Sequence, residues 1–165
     1  MNVIEFKSAI YKFHIENYKL LNKKILHEIE KAGKYSMQNK TSQISNTDWH
    51  LSRDFPRTYI DLLLPELNQA ITSLKLTMNN YWFQQYIPGN NHGWHTHPMC
   101  NYSSVYFVEL PDMVETLFKN YKNEEFTVKA KEGDFVVFPS HLEHCSPENK
   151  TQTRKTIISM NFNLQ

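Results

Sequence analysis

The residues able to do chemistry lie in two stretches about fifty residues apart, Tyr86–His97 (YIPGNNHGWHTH) and Gly133–His144 (GDFVVFPSHLEH), with Arg154 following. His95 and His97 are two apart, and on a strand residues i and i+2 leave the same face, so both imidazoles can reach one ion. His144, after the apolar run Phe135–Phe138 and a proline turn, is the best third ligand. Three protein ligands leave positions open on the ion, as a catalytic site requires; a structural zinc site is closed by four. His92 and His141 stand close by, as alternative ligands, as donors behind the ligands, or as loop residues. The planar fork of Arg154 suits a bidentate grip on a carboxylate, which Lys does not reproduce. The chain carries fifteen Lys and only three Arg (Arg53, Arg57 and Arg154), so an Arg here reads as a specific requirement. An HxH pair alone is a weak signal; the ordered set of HxH, distal His and Arg is stronger.

The elements that must position these residues fall into two halves. Tyr18, Leu21, Ile25, Ile29 and Ala32 recur at helical spacing after a possible Asn17 cap and before Gly33. A second helical stripe, Ile60, Leu63, Leu64, Leu67, Ile71 and Leu74, contains Pro65, which predicts a break or kink just before it and so a short helix followed by a longer one. Short alternations at Ile4 and Phe6, then at Tyr11, Phe13 and Ile15, allow an edge strand or arm, and residues 34–48 read as a polar loop. His14, His27 and His50 lack partners at ligand spacing and read as surface or packing residues. From residue 81 the pattern is β, with strands expected near 81–87, 92–97, 101–109, 115–121, 125–130, 134–138, 142–146 and 154–163. That is an α+β, mainly β plan: a jelly roll, or cupin-like barrel, with helices from the N-terminal part packed on it. One domain over 1–165 is expected, with 1–79 as helical support and 80–165 as the barrel.

These stretches resemble the iron(II)- and 2-oxoglutarate-dependent oxygenases with a double-stranded β-helix, and within them the prolyl-hydroxylase-like branch with an HxH metal motif. The resemblance rests on Tyr86–His97, on SSVYFVEL (Ser103–Leu110) and on Gly133–Phe162, about residues 80–163. It implies His95 and His144 as metal ligands, Arg154 as the anchor of 2-oxoglutarate, Thr156 as a hydroxyl partner on the same strand face, and Tyr86 as a phenol offered to that cosubstrate. Fe(II), 2-oxoglutarate and O2 would then hydroxylate a C–H bond and release succinate and CO2, with a peptide side chain as the first substrate guess. Trp82 and Trp94 are candidates for lining the substrate pocket, with the loop at Pro111–Val114 at its rim. The departure is His97, where the family's usual motif has a carboxylate. Either three histidines ligate, which the i, i+2 geometry favours, or Glu109, Asp112 or Glu143 reaches in.

Two rival readings stand beside this one. HxH with a distal His also fits a cupin-like three-histidine dioxygenase or isomerase that uses no 2-oxoglutarate, although the acidic residue expected after HxH is replaced by Asn101 and Tyr102. Arg154 discriminates, because a cupin does not need it. The other rival is a non-catalytic jelly roll that binds a partner.

Bulk properties narrow the field. Lys plus Arg is 18 against 17 Asp plus Glu, so no basic surface points to nucleic acid or anionic membrane. The mean hydropathy of −0.59 and the lack of a long apolar run give no transmembrane segment, and the start lacks the pattern of a secretory signal. Cys100 and Cys145 form no disulfide framework and read as reduced, buried thiols in a cytoplasmic protein. The partner is an unidentified peptide or small molecule, and the pattern sets no oligomeric state.

Overall fold

Alternation of apolar residues builds two sheets, and the computed structural model describes them over residues 8–52 and 54–165. The described residues form two helices, α1 (Tyr18–Lys31) and α2 (Thr58–Ser73). In chain order the strands are β1 (Tyr11–His14), β2 (Met37–Gln38), β3 (Ser42–Ile44), β4 (Asn46–Thr47), β5 (Leu76–Tyr86) and β6 (Asn91–His95), followed by β7 (Tyr102–Glu109), β8 (Leu117–Lys119), β9 (Glu125–Thr127), β10 (Asp134–Pro139), β11 (His144–Ser146) and β12 (Lys155–Leu164). One sheet has the order β1-β10-β7-β12-β5-β4, the other β2-β3-β6-β11-β8-β9, and every pairing is antiparallel. The two face each other as a double-stranded β-helix, the jelly roll that the sequence implies.

The first sheet is covered on its other face by the helices, and this creates two cores. Ile25 and Ile29 of α1 and Tyr59, Ile60, Leu63 and Leu67 of α2 pack against Phe83, Tyr106, Val108, Phe135, Val137, Ile158, Met160 and Phe162. Between the sheets lie Ile44, Tyr86, Val105, Phe107, Phe118, Val136, Phe138 and Ile157. On β12 the even positions Ile158, Met160 and Phe162 therefore face the helices, while odd positions face the space between the sheets. Asn22 ties α1 to the sheet: its amide donates to the Val108 carbonyl (2.8 Å) and its carbonyl accepts from the Tyr106 hydroxyl (2.6 Å). A buried amide held on both sides fixes the helix's position along the sheet.

Two expectations change. The helix over Thr58–Ser73 continues through Pro65 as one element and not as two. Proline removes the bond to the Asp61 carbonyl, but Asp61 and Pro65 both lie on the exposed side, where water can take up that carbonyl. Residues 34–48 are not a loop; they supply β2, β3 and β4, which join both sheets. Their polar residues hid this, because the strands are satisfied through side chains: Asn46 donates to Gln85 Oε1 (3.0 Å) and Thr47 to the Phe83 carbonyl (2.7 Å). The alternation at Ile4 and Phe6 falls outside the described residues. Among the described residues no helix is long and apolar enough to cross a membrane.

Asp48 closes this corner. It is fully buried, and accepts from Arg57 Nε (2.8 Å), the Tyr59 hydroxyl (2.7 Å) and the Phe83 amide (2.8 Å). Removing the carboxylate leaves a nearly buried guanidinium and a phenol unpaired, so Asp48→Ala should cost about 3–5 kcal/mol in urea unfolding. An effect below about 1 kcal/mol would mean that the network contributes little.

Candidate active site

The histidines meet where β6 pairs with β11. His144 lies opposite His95, and Ser146 opposite His92, so three residues of β6 span two of β11. This bulge turns His92 onto the same face as His95, which strict alternation would forbid. Gly93 sits in the bulge, and a Cβ there would lie 2.8 Å from the Thr41 carbonyl oxygen of the neighbouring strand segment. Only glycine fits without moving that backbone.

His95, His97 and His144 bring their ring nitrogens within 4.8 Å of one another. His95 Nδ1 lies 2.8 Å from the Gly93 carbonyl, and His144 Nδ1 lies 2.9 Å from the Leu142 carbonyl. A carbonyl can only accept, so both Nδ1 atoms carry the proton and both Nε2 lone pairs are free for a metal. His97 stacks between Trp82 (5.7 Å between ring centres) and His144 (5.1 Å). Burial is the main reason why all three ring pKa values fall, to about 2 for His144 and about 4 for His97. The imidazoles are therefore neutral near pH 7, the form that binds metal.

Among the described residues no carboxylate joins this group. Glu109 is held by Arg154, Glu143 lies 3.5 Å from Lys119, and Asp112 is exposed. His141 is exposed as well, and His14 pairs with Asp134 at 2.7 Å.

Arg154 does not face the histidines. Its Nε and Nη2 donate to the two oxygens of Glu109 (2.8 and 3.0 Å), and Thr156 donates to the same carboxylate. The reason is strand parity: positions 154 and 156 share the helix-facing side of β12 with Ile158. Lys155 takes the inner side. It is fully buried, opposite Tyr86 on β5, and donates to the Val114 carbonyl (2.6 Å) and Ser146 Oγ (2.8 Å). An ammonium has three protons, and among the described residues no third acceptor meets Lys155. The Tyr86 hydroxyl is also buried without a partner among the described residues, although Ser146 faces it. Burial raises the Tyr86 phenol far above its ordinary value, so it is a donor and not an anion.

Trp82 lines the cleft, whereas Trp94 lies outside it beneath Lys119, whose Nζ is 4.0 Å from its ring centre. The sequence reading missed Lys155, Gln84 and Trp49. For Lys155 a signal existed: Ile158, Met160 and Phe162 form a wholly apolar face of β12, leaving the polar Lys155, Ser159 and Asn161 on the opposite, inner face. The cleft itself is narrow, about 20 Å³. Beyond the histidines it opens into an outer groove of about 770 Å³ lined by Trp49, Met78, Asn79, Trp82 and Met99 among others, none of them charged.

Neither family-level sequence models nor curated protein sequences match this chain. Solved structures do. A viral collagen prolyl hydroxylase from Paramecium Bursaria Chlorella virus-1, in its 2OG complex, is 12% identical with a TM-score of 0.65, covering 94% of this chain and 96% of its own. A Pseudomonas putida prolyl-4-hydroxylase is 15% identical with a TM-score of 0.60, covering 96% and 94%. The non-heme alpha ketoglutarate dependent epimerase SnoN, from nogalamycin biosynthesis, is 12% identical with a TM-score of 0.73, covering 95% and 78%. The fold is that of the 2OG-Fe(II) oxygenases. A hydroxylase and an epimerase share it, so the reaction must be argued from the site.

Lys155 carries a pH consequence. Burial pushes its pKa down from 10.5 to about 7. Between those values the unfolded chain binds more protons, so the metal-free protein should gain stability as pH rises from about 7 to 10. Urea unfolding at several pH values should show this rise in the wild type and a flatter profile in Lys155→Met. Equal slopes would place the titration elsewhere.

Proposed function

We propose that this chain is an Fe(II)- and 2-oxoglutarate-dependent oxygenase whose 2-oxoglutarate anchor is Lys155, not the adjacent Arg154. The observation that carries this reading is the fully buried Lys155, whose Nζ has two acceptors for three protons among the described residues, next to the partnerless Tyr86 hydroxyl that lines the cleft with three metal-ready imidazoles. Two donors at one end suit a carboxylate, and a buried ammonium without a counter-ion gains most from receiving one. Bound together, the iron and the 2-oxoacid supply the oxidative chemistry, with release of succinate and CO2.

The chain's own residues do the rest. His95, His97 and His144 would hold the metal, with no fourth protein ligand among the described residues. Because all three are neutral, they would leave the ion's charge uncompensated, which would favour an anionic chelator. Gly93 and Leu142 carbonyls fix the rings of His95 and His144. Phe118 and Phe138, packed around His144 at 6.2 and 4.6 Å between ring centres, keep water from that side.

The outer groove suits an uncharged substrate. Asn79, Asn80 and Gln84 offer amide donors and acceptors, while Trp49, Trp82 and the methionines offer apolar contact. A peptide segment presents both features, which supports a peptide side chain as the position of hydroxylation.

Anaerobic addition of Fe(II) and then 2-oxoglutarate to the apo protein should produce the visible charge-transfer band of the chelate. Lys155→Met should raise the 2-oxoglutarate needed by about a hundredfold, the scale of one lost charge-assisted contact, and Arg154→Ala should leave it within about twofold. A band sensitive to Arg154 and indifferent to Lys155 would return the anchor to the arginine. Iron binding without a band would favour a three-histidine dioxygenase or isomerase that uses no 2-oxoglutarate. No iron binding would rule out both enzyme readings.

A further inference from the structure

A fourth histidine, His92, shares the site, and its hydrogen bonding is the reverse of that of the ligands. Its ring stacks on His95 at 4.0 Å between centres, with 21° between planes. It borders both the inner cleft and the outer groove, yet it is not within the cluster of ligand nitrogens. Its Nδ1 lies 3.3 Å from Gln84 Nε2. An amide nitrogen can only donate, so Nδ1 accepts and the proton resides on Nε2. The Gln84 amide is oriented in turn by Ser159, whose hydroxyl donates to Gln84 Oε1 (3.4 Å). Ser159, Gln84 and His92 thus form a chain that ends in an N–H at the cleft. Among the described residues nothing accepts from that Nε2.

The geometry points to His92 as a hydrogen-bond donor to an anionic oxygen of the acid that chelates the metal, and excludes it from ligating the metal itself. This rests on the oxygenase reading above and adds a residue to it. With three neutral ligands, every negative oxygen at the ion belongs to the bound acid, so the acceptor that the N–H lacks in the protein is the one the acid brings. A metal ligand needs a free ring lone pair, which His95 and His144 have at Nε2, whereas the Nδ1 lone pair of His92 is taken by the Gln84 amide. His92 presents the opposite tautomer on the same face, so it positions the acid, and Gln84 positions His92.

Nitrogen NMR of the apo protein labelled at histidine reads the tautomers directly. Nε2–H for His92 beside Nδ1–H for His95 and His144 is expected; Nδ1–H at His92 overturns the proposal. Calorimetry then separates metal from acid, with Co(II) first and either 2-oxoglutarate or oxalate second. His92→Phe keeps the stacking but removes the donor. It should leave Co(II) affinity within about twofold and weaken both acids about tenfold, the worth of one hydrogen bond to a charged acceptor. His92→Gln, which keeps an N–H, should recover part of that loss. A fall in Co(II) affinity matching that of His144→Ala, with an unchanged melting temperature, would make His92 a fourth ligand and overturn the proposal, as would unchanged acid affinity in a His92→Phe protein that binds the acid. A wild-type protein that takes Co(II) but no acid would overturn the oxygenase reading along with it.

Discussion

β12 is hydrogen-bonded on both sides, to β5 and β7, and buried on both faces over most of its length. That double burial constrains everything else. Its even side chains supply the floor on which the helices rest, and its odd side chains supply the floor of the cleft. Trp82, Gln84 and Tyr86 on β5 stand opposite Ser159, Ile157 and Lys155, so one strand pair sets the order of groups from the mouth of the cleft inward. Because the side-chain period is two, a slip by one residue would bury Arg154 between the sheets and turn Lys155 into the helix-facing core. No gradual change connects those arrangements.

The strand and helix pattern was largely readable in the sequence. The eight strands expected beyond residue 80 appear with boundaries shifted by a few residues, and the HxH pair with a distal histidine does gather at one point. What could not be read had specific physical causes. β3 and β4 are too short and too polar to show alternation, and their stability comes from side chains such as Asn46 and Thr47 that bond across to β5. Pro65 breaks isolated helices, yet a solvent-facing carbonyl absorbs the loss. The Arg154 expectation followed from chemical type: guanidinium fits carboxylate better than ammonium does. The fold decided by parity, and Glu109 occupied the arginine.

Electrostatically the cleft is arranged at the expense of stability. Four imidazoles are held neutral by burial, and a lysine is buried with, among the described residues, a carbonyl and a hydroxyl as its hydrogen-bond acceptors. An apolar side chain in place of Lys155 would fold more easily. The neutral imidazoles and the partnerless Tyr86 hydroxyl line one cleft, and in the proposed oxygenase a metal with an anionic acid would compensate them together with Lys155. Outside the cleft, by contrast, buried polar groups such as Asp48, Asn22 and Asn149 have several partners each.

The bulge in β6 bears on how such chains are aligned. Here the inward histidines read H-x-x-H-x-H, because one extra residue is absorbed between His92 and His95. A strand without the bulge would bring the same three side chains inward as H-x-H-x-H. A pattern of fixed spacing registers these as different, and an alignment places a gap in the middle of the site. The position opposite Ser146 is the invariant that links them, and it is a coordinate of the sheet and not of the sequence.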